Sequence, residues 1–240
     1  MALPVINNPE YFVELPSTGK KVKYRPFVVR EEKLLLLALE SEDLSEMSNA
    51  VKNVLSNCVK GDNLDIETLP TFDIEYLFLN IRGKAVGEDI QVNILCPDDE
   101  ETYVNVKIFI DDIKVVKNPE HNNQIKINET IMMEMKYPSL EQFIKTNFDF
   151  QNKKNQLDQS LDLIASCVRK IYNEDEVWTS SDVTEKEIIE FLESMNSTQF
   201  KKIENFFETM PKLEHKVKIK NPNTKVESEV TLMGLADFFG

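Results

Sequence analysis

The chain has 240 residues, enough for one large domain or two ordinary ones with a well-filled core. Its 28 Lys and Arg stand against 42 Asp and Glu, for a net charge of -14. That balance argues against binding DNA or RNA, because a phosphate-tracking surface draws its affinity from Lys and Arg.

The opening, Met1 to Phe12, has neither a basic region nor a long apolar stretch, so no export signal is expected. Two alternating runs, Tyr11 to Leu15 and Lys21 to Arg25, flank Pro16-Ser17-Thr18-Gly19-Lys20 and predict a hairpin. Pro26 disfavours helix for Arg25 and keeps the chain extended to about Val29. A helix follows from about Arg30 to Glu40. Its run Leu34 to Leu39 is apolar on every face, so this helix is expected to be covered on several sides. The run is also the longest apolar one, far short of the roughly 20 residues of a membrane span.

Ser41 to Leu44 can cap a second helix, in which Met47, Val51, Val54, Leu55 and Cys58 recur at helical steps and Gly61 is the expected end. Leu69 to Asp73 opens a third, with Ile74, Leu77, Phe78 and Ile81 on one face and Gly87 as its stop. Residues 89–115 then read as a hairpin. Ile90, Val92 and Ile94 alternate, Cys96-Pro97-Asp98-Asp99 turns, and Val104, Val106, Ile108 and Ile110 resume the alternation. A further hairpin is expected around Ile125, Ile127, Ile131, Met133 and Met135, without a copy elsewhere. Ser139 caps a short helix through Phe143, and the polar stretch Asn147 to Asn155 is a candidate linker. Beyond it come a helix carrying Leu157, Leu161, Ile164, Ala165 and Val168, a turn or short strand at Asn173 to Ser181, and two helices. Those two run from Thr184 to Met195, with Asp182 as cap, and from Ser197 to Met210, with Asn196 or Ser197 as cap.

The chain closes on a second copy of the 89–115 pattern. Val217 and Ile219 lead into Asn221-Pro222-Asn223-Thr224, followed by Val226, Val230 and Leu232. Upstream, Ser56-Asn57-Cys58-Val59-Lys60 and Ala165-Ser166-Cys167-Val168-Arg169 form another matching pair. Cys58 to Cys96 is 38 residues and Cys167 to Asn221 is 54, so the second copy would carry an insertion of 16 between 182 and 209. The fold expected is therefore α+β, with amphipathic helices, several β-hairpins and two diverged helix-helix-hairpin repeats. The divisions expected are an N-terminal hairpin and extended segment at 1–30, a first unit with an extra hairpin at 31–146, a linker at 147–156 and a second unit at 157–240.

Few residues carry chemistry. His121 and His215 have no partner at metal or triad spacing, no GxSxG frames a serine, and the six glycines build neither GxGxxG nor a P-loop. Neither a cofactor nor a small-molecule substrate is expected. Asp98-Asp99, Asp111-Asp112 and Asp73-Glu75 read as parts of a solvated acidic face. The three cysteines contain no CxxC pair and fit a reducing cytosol. Cys58 and Cys167 lie on apolar helix faces, so burial is the simpler account; a thiol-dependent enzyme would need an exposed thiol of low pKa. Cys96 is followed by proline at a hairpin tip. Two C-P-x-C tips brought together form a four-cysteine zinc ribbon, and here the four positions would hold Cys96, Asp99, Asn221 and Thr224. The hairpins thus resemble zinc ribbons lacking most metal ligands. A residual metal site would draw on Cys96, Asp99 and His215, and a metal-binding adaptor is the alternative function it suggests.

The stretch Val22 to Leu36, VKYRPFVVREEKLLL, resembles the opening of the baseplate hub and tail-assembly proteins of T-even-type contractile-tailed bacteriophages. The terminal LMGLADFF, Leu232 to Phe239, resembles their closing motif. The resemblance implies a non-enzymatic protein that helps to form the central part of the baseplate through contacts with other phage baseplate or tail proteins. It also implies a place in the host cytoplasm during assembly or in the virion baseplate. The chain departs from the family pattern in keeping only Cys96 at tips that are cysteine-rich in several relatives. Tyr24, Arg25 and Phe27 are either an exposed anchor or a strand edge packed on the leucine-rich helix. Phe238 and Phe239 are either tucked against the second hairpin or offered to a partner.

Overall fold

The computed structural model describes residues 6–41, 43–61, 64–142 and 156–239. The expected linker at 147–155 lies outside them. Within them the chain is α+β, with antiparallel sheets and helices gathered around two clusters of buried side chains.

Strands β1 (Tyr11–Glu14) and β2 (Lys21–Tyr24) form the first hairpin, with Val13 opposite Val22 and both buried. Its loop is held by Asp73, whose carboxylate accepts from the Ser17 N–H at 2.9 Å and from the Ser17 hydroxyl. Helix α1 (Val29–Ser41) and helix α2 (Leu44–Cys58) follow. Asp43 caps α2, its Oδ1 accepting from the N–H groups of Ser45 and Glu46 at 2.7 and 3.1 Å. The periodic residues Met47, Val51, Val54, Leu55 and Cys58 are all buried, as their spacing predicts. The helix stops at Cys58, before the expected Gly61, because Val59 and Lys60 form strand β3 (Val59–Lys60) against β2. A pairing partner and a β-branched residue outweigh one more helical turn.

Helix α3 (Thr71–Val86) is the central element. It packs against α2, strand β6 (Lys114–Val116), strand β11 (Lys212–Lys220) and helix α7 (Gly234–Phe239), and it buries Phe72, Ile74, Leu77, Leu79 and Ile81 on more than one face. Gly83 admits Ile110, whose Cδ1 would lie 2.6 Å from any added Cβ. The helix expected to be covered on several sides, α1, is not: Leu34 is 38%, Leu36 54% and Leu37 52% exposed. Among the described residues its main helical neighbour is α2. An apolar run states a demand for cover, and the neighbours that could supply it surround α3 instead.

Strands β4 (Asp89–Leu95) and β5 (Tyr103–Phe109) form the hairpin read at 89–115, with Ile90, Val92 and Ile94 opposite Ile108, Val106 and Val104. Strand β11 pairs with β12 (Glu227–Met233) on one side and with β6 on the other. The β6–β11 pairing brings the two ends of the intervening chain together, and that stretch has its own core. It contains β7 (Gln124–Lys126), β8 (Met132–Met135), α4 (Gln156–Cys167), β9 (Val168–Tyr172), β10 (Val177–Thr179), α5 (Glu185–Glu193) and α6 (Ser197–Thr209). The sheet order is β10-β9-β8-β7, and Met133, Met135, Ile164, Leu192, Ile203 and Phe206 fill the interior. Capping boxes start α5 at Thr184 with Glu187 and α6 at Asn196 with Gln199. Asp182, the expected cap of α5, instead closes the preceding turn by accepting from the N–H and hydroxyl of Thr179.

The β7–β8 hairpin, expected to have no copy, has one in β1–β2. Each hairpin pairs through its second strand with a short strand that leaves a helix ending in cysteine. The Arg25 N–H donates to the Cys58 carbonyl at 2.9 Å, and the Lys136 N–H donates to the Cys167 carbonyl at 2.8 Å.

Candidate functional site

The tips of the two long hairpins share one turn. In the first, the Cys96 N–H donates to Thr102 O at 2.7 Å and the Glu100 N–H to Cys96 O at 3.0 Å. In the second, the Asn221 N–H donates to Val226 O at 2.9 Å and the Lys225 N–H to Asn221 O at 3.0 Å. Glu100 and Lys225 occupy the same left-handed position, at φ 54° and 66°, which non-glycine residues rarely adopt.

These tips meet. The side-chain amide of Asn221, 1% exposed, donates to Asp99 Oδ2 at 2.8 Å and to Asp98 Oδ1 and Oδ2 at 3.2 and 3.1 Å. Its Oδ1 accepts from the N–H groups of Asn223 and Thr224 at 2.8 and 3.2 Å. The Thr224 hydroxyl donates to Asp98, and Asn223 Nδ2 donates to Thr102 Oγ1 at 3.0 Å. Hydrogen bonds from Thr102 and Asn221 hold the Asp99 carboxyl well below the usual carboxylate range. The four positions compared above with zinc ligands thus carry a thiol, a carboxylate, an amide and a hydroxyl, largely spent on one another. They do not fit the tetrahedral thiolate and imidazole set that zinc prefers. The trio Cys96, Asp99 and His215 is not assembled either, because the His215 ring nitrogen Nδ1 lies 3.3 Å from the Asp112 carbonyl, well down strand β11 from the tip. Among the described residues no group of three or more His, Cys, Asp or Glu side chains is placed to hold a metal.

Arg25 belongs to a second polar cluster. Its guanidinium donates through Nη1 and Nη2 to Glu31 Oε2 and Oε1 at 2.9 and 2.6 Å, and its Nη1 lies 3.6 Å from Cys58 Sγ. Tyr24 is buried against Tyr11, and Phe27 is partly buried against the first core. Burial pushes the Cys58 thiol up to about 12 and the Cys167 thiol to about 11, and it raises Cys96 as well. At neutral pH all three are protonated and poor nucleophiles. His121 is stacked on Tyr137 and tilted against Phe206, with its Nδ1 2.9 Å from the Thr209 hydroxyl, and burial lowers its pKa.

Phe238 is 2% exposed, tucked into the first core by α7; the side chain of Phe239 lies outside the described residues. Helix α7 begins at Gly234, φ +66°, and the Leu235 N–H donates to the Glu75 carboxylate, whose pKa burial pushes up to about 7. Because this folded value lies above the ordinary 4.5, the native state holds the proton more tightly. Stability from this group is therefore full below 4.5 and falls as pH rises to about 7. The expected loss is on the order of 2–3 kcal/mol. Glu75→Gln should flatten urea stability between pH 5 and about 7.5; an unchanged pH slope would disprove the assignment.

Sequence reasoning singled out aromatic and arginine anchors, and the structure uses Tyr24, Arg25 and Phe238 inside the molecule. It missed the exposed side of α1. The signal available there was Lys33 and Glu32 immediately before the leucines and Glu40 immediately after them.

What the fold and its polar clusters define is an α+β protein whose hairpin tips, helix ends and terminal segment are tied to one another, with apolar side chains left outward on one helix. Among the described residues no helix is long and apolar enough to cross a membrane. Residues 8–240 match the family model described as T4 bacteriophage base plate protein, and the chain belongs to that family. It is a phage baseplate protein. Neither a curated protein nor a solved structure matches this chain.

Proposed function

We propose that this protein is a non-enzymatic component of the baseplate hub, or a factor that assembles the hub, and that it works through contacts with other baseplate and tail proteins. The observation that carries this reading is the family match across residues 8–240, nearly the full chain. Two features support it. The three thiols are buried and protonated, which disfavours a thiol-dependent enzyme. The tip cluster spends its polar groups on mutual hydrogen bonds, which disfavours a metal-binding adaptor. Assembly in the host cytoplasm and residence in the virion baseplate both fit this role.

The test is affinity capture of the tagged chain from phage-infected cells, compared with the protein content of purified virions. Tail proteins in the capture together with the chain in virions indicate a permanent subunit. Captured tail proteins without the chain in virions indicate an assembly factor. No tail protein in the capture and no chain in virions overturns the proposal.

A further inference from the structure

The exposed side of α1 carries an ordered charge pattern. Arg30 and Lys33 come first, then Leu34, Leu36 and Leu37, and then Glu40, all on the outside of the molecule. Among the described residues Lys33 and Glu40 form no salt bridge, and Arg30 lies close enough to Glu31 to help lower its pKa. Glu32, also exposed at this end, lies close enough to Arg82 of α3 for its charge to raise the guanidinium pKa, which offsets part of its effect on Arg30 and Lys33. Past the leucines the charges are acidic only, with Asp43 and Glu46 exposed beyond Glu40 and no Lys or Arg before Lys52.

A face that reads basic, apolar, acidic is complementary to itself when turned end for end. We propose that α1 is a homodimer contact, in which two copies of this chain pack their α1 helices antiparallel about a two-fold axis. Leu34 of one copy then lies over the partner's Leu37, and Arg30 and Lys33 approach the partner's Glu40, twice over, as an isologous interface requires. The antiparallel arrangement also sets opposite helix-dipole ends together. A partner of uniform charge would match one end of the face and oppose the other, whereas a second copy matches both. The contact rests on one pair of helices, so it falls below the roughly 1,200 Å² of a standard stable interface and should give a weak dimer, with Kd on the order of tens of micromolar. The inference needs only the purified chain, so its failure leaves the proposed baseplate role standing.

Sedimentation velocity on the full chain, from about 5 to about 300 µM at about 0.15 M salt, where charge repulsion is screened beyond about 8 Å, reads the result. The expected outcome is a reversible, concentration-dependent rise toward dimer. L34S/L37S should weaken it at least about tenfold, with the fold intact because both side chains are already exposed. R30E/K33E alone and E40K alone should each behave as L34S/L37S, while their equimolar mixture should dimerise within about threefold of the parent. A monomer at every concentration, a dimer indifferent to L34S/L37S, or a mixture no better than its components would each overturn the proposal.

Discussion

Arg25→Ala is expected to lower the unfolding free energy by about 3–5 kcal/mol, the cost of leaving a buried charge without its partner. Glu31 is 2% exposed, and its carboxylate accepts two guanidinium bonds from Arg25 as well as the Val28 N–H at 2.8 Å. Removing the guanidinium strands that carboxylate between α1, the end of β2 and Cys58. In the parent the Arg25 hydrogen bonds are the main reason that the Glu31 pKa lies below its ordinary 4.5. The stability from this depressed carboxyl is present above 4.5 and is lost as pH falls through the folded value. In the variant the sign reverses, because acid now neutralises a stranded charge. Urea unfolding should therefore show a midpoint lowered by roughly 1–2 M at pH 7.5 and a smaller deficit at pH 5. Arg25→Ala/Glu31→Gln should recover part of the loss. A single-variant deficit under about 1 kcal/mol would mean that the pair is solvated and contributes as surface pairs do.

Phe206→Ala should cost about 3–5 kcal/mol, the range for truncating a buried aromatic. Phe206 of α6 is 2% exposed, with ring centroids 5.0 Å from His121, 5.8 Å from Tyr137 and 5.1 Å from Phe207. Tyr137 in turn stands 5.1 Å, edge to face, from Phe72 of α3, so a row of rings links the two cores. The cavity opens in the core of residues 125–206, and the damage should be local before it is global. Hydrogen exchange should accelerate in β8 and β9 well before it does in β11 and β12. Equal acceleration in both would show that the two cores unfold as one unit, and no acceleration would show that neighbouring rings refill the site.

Much of the secondary structure was legible because its causes are local. The steps from Met47 to Cys58 fall on one helix face, and the alternation from Ile90 to Ile108 on one side of a hairpin. Asn196 and Gln199 stand at capping-box spacing, and Cys96-Pro97 and Asn221-Pro222 open matching turns. The likeness between those two turns also paired the tips across the chain. What they do to each other was not legible, since the bonds from Asn221 to Asp98 and Asp99 depend on how the β4–β5 and β11–β12 hairpins lie together. The polar pairs Arg25–Glu31, Ser17–Asp73 and Glu75–Leu235 escaped notice for the same reason. Each joins groups with no characteristic spacing, and a carboxylate in a strongly acidic chain reads first as surface.

The sequence by itself determined the type of most elements, several caps, the two long hairpins and the family, all of which rest on short-range geometry and residue order. By sequence alone the strands Val59–Lys60 and Val168–Tyr172, which end two helices at cysteine, read as helix. The tertiary structure alone decided which apolar elements are covered. Buried volume is limited and helices compete for it: α3 lies between α2, β6, β11 and α7, while α1, with more consecutive leucines, lies mainly along α2 and turns Leu34, Leu36 and Leu37 outward. Hydrophobicity measures how strongly a face seeks cover, and only the placement of the other elements determines whether it receives it.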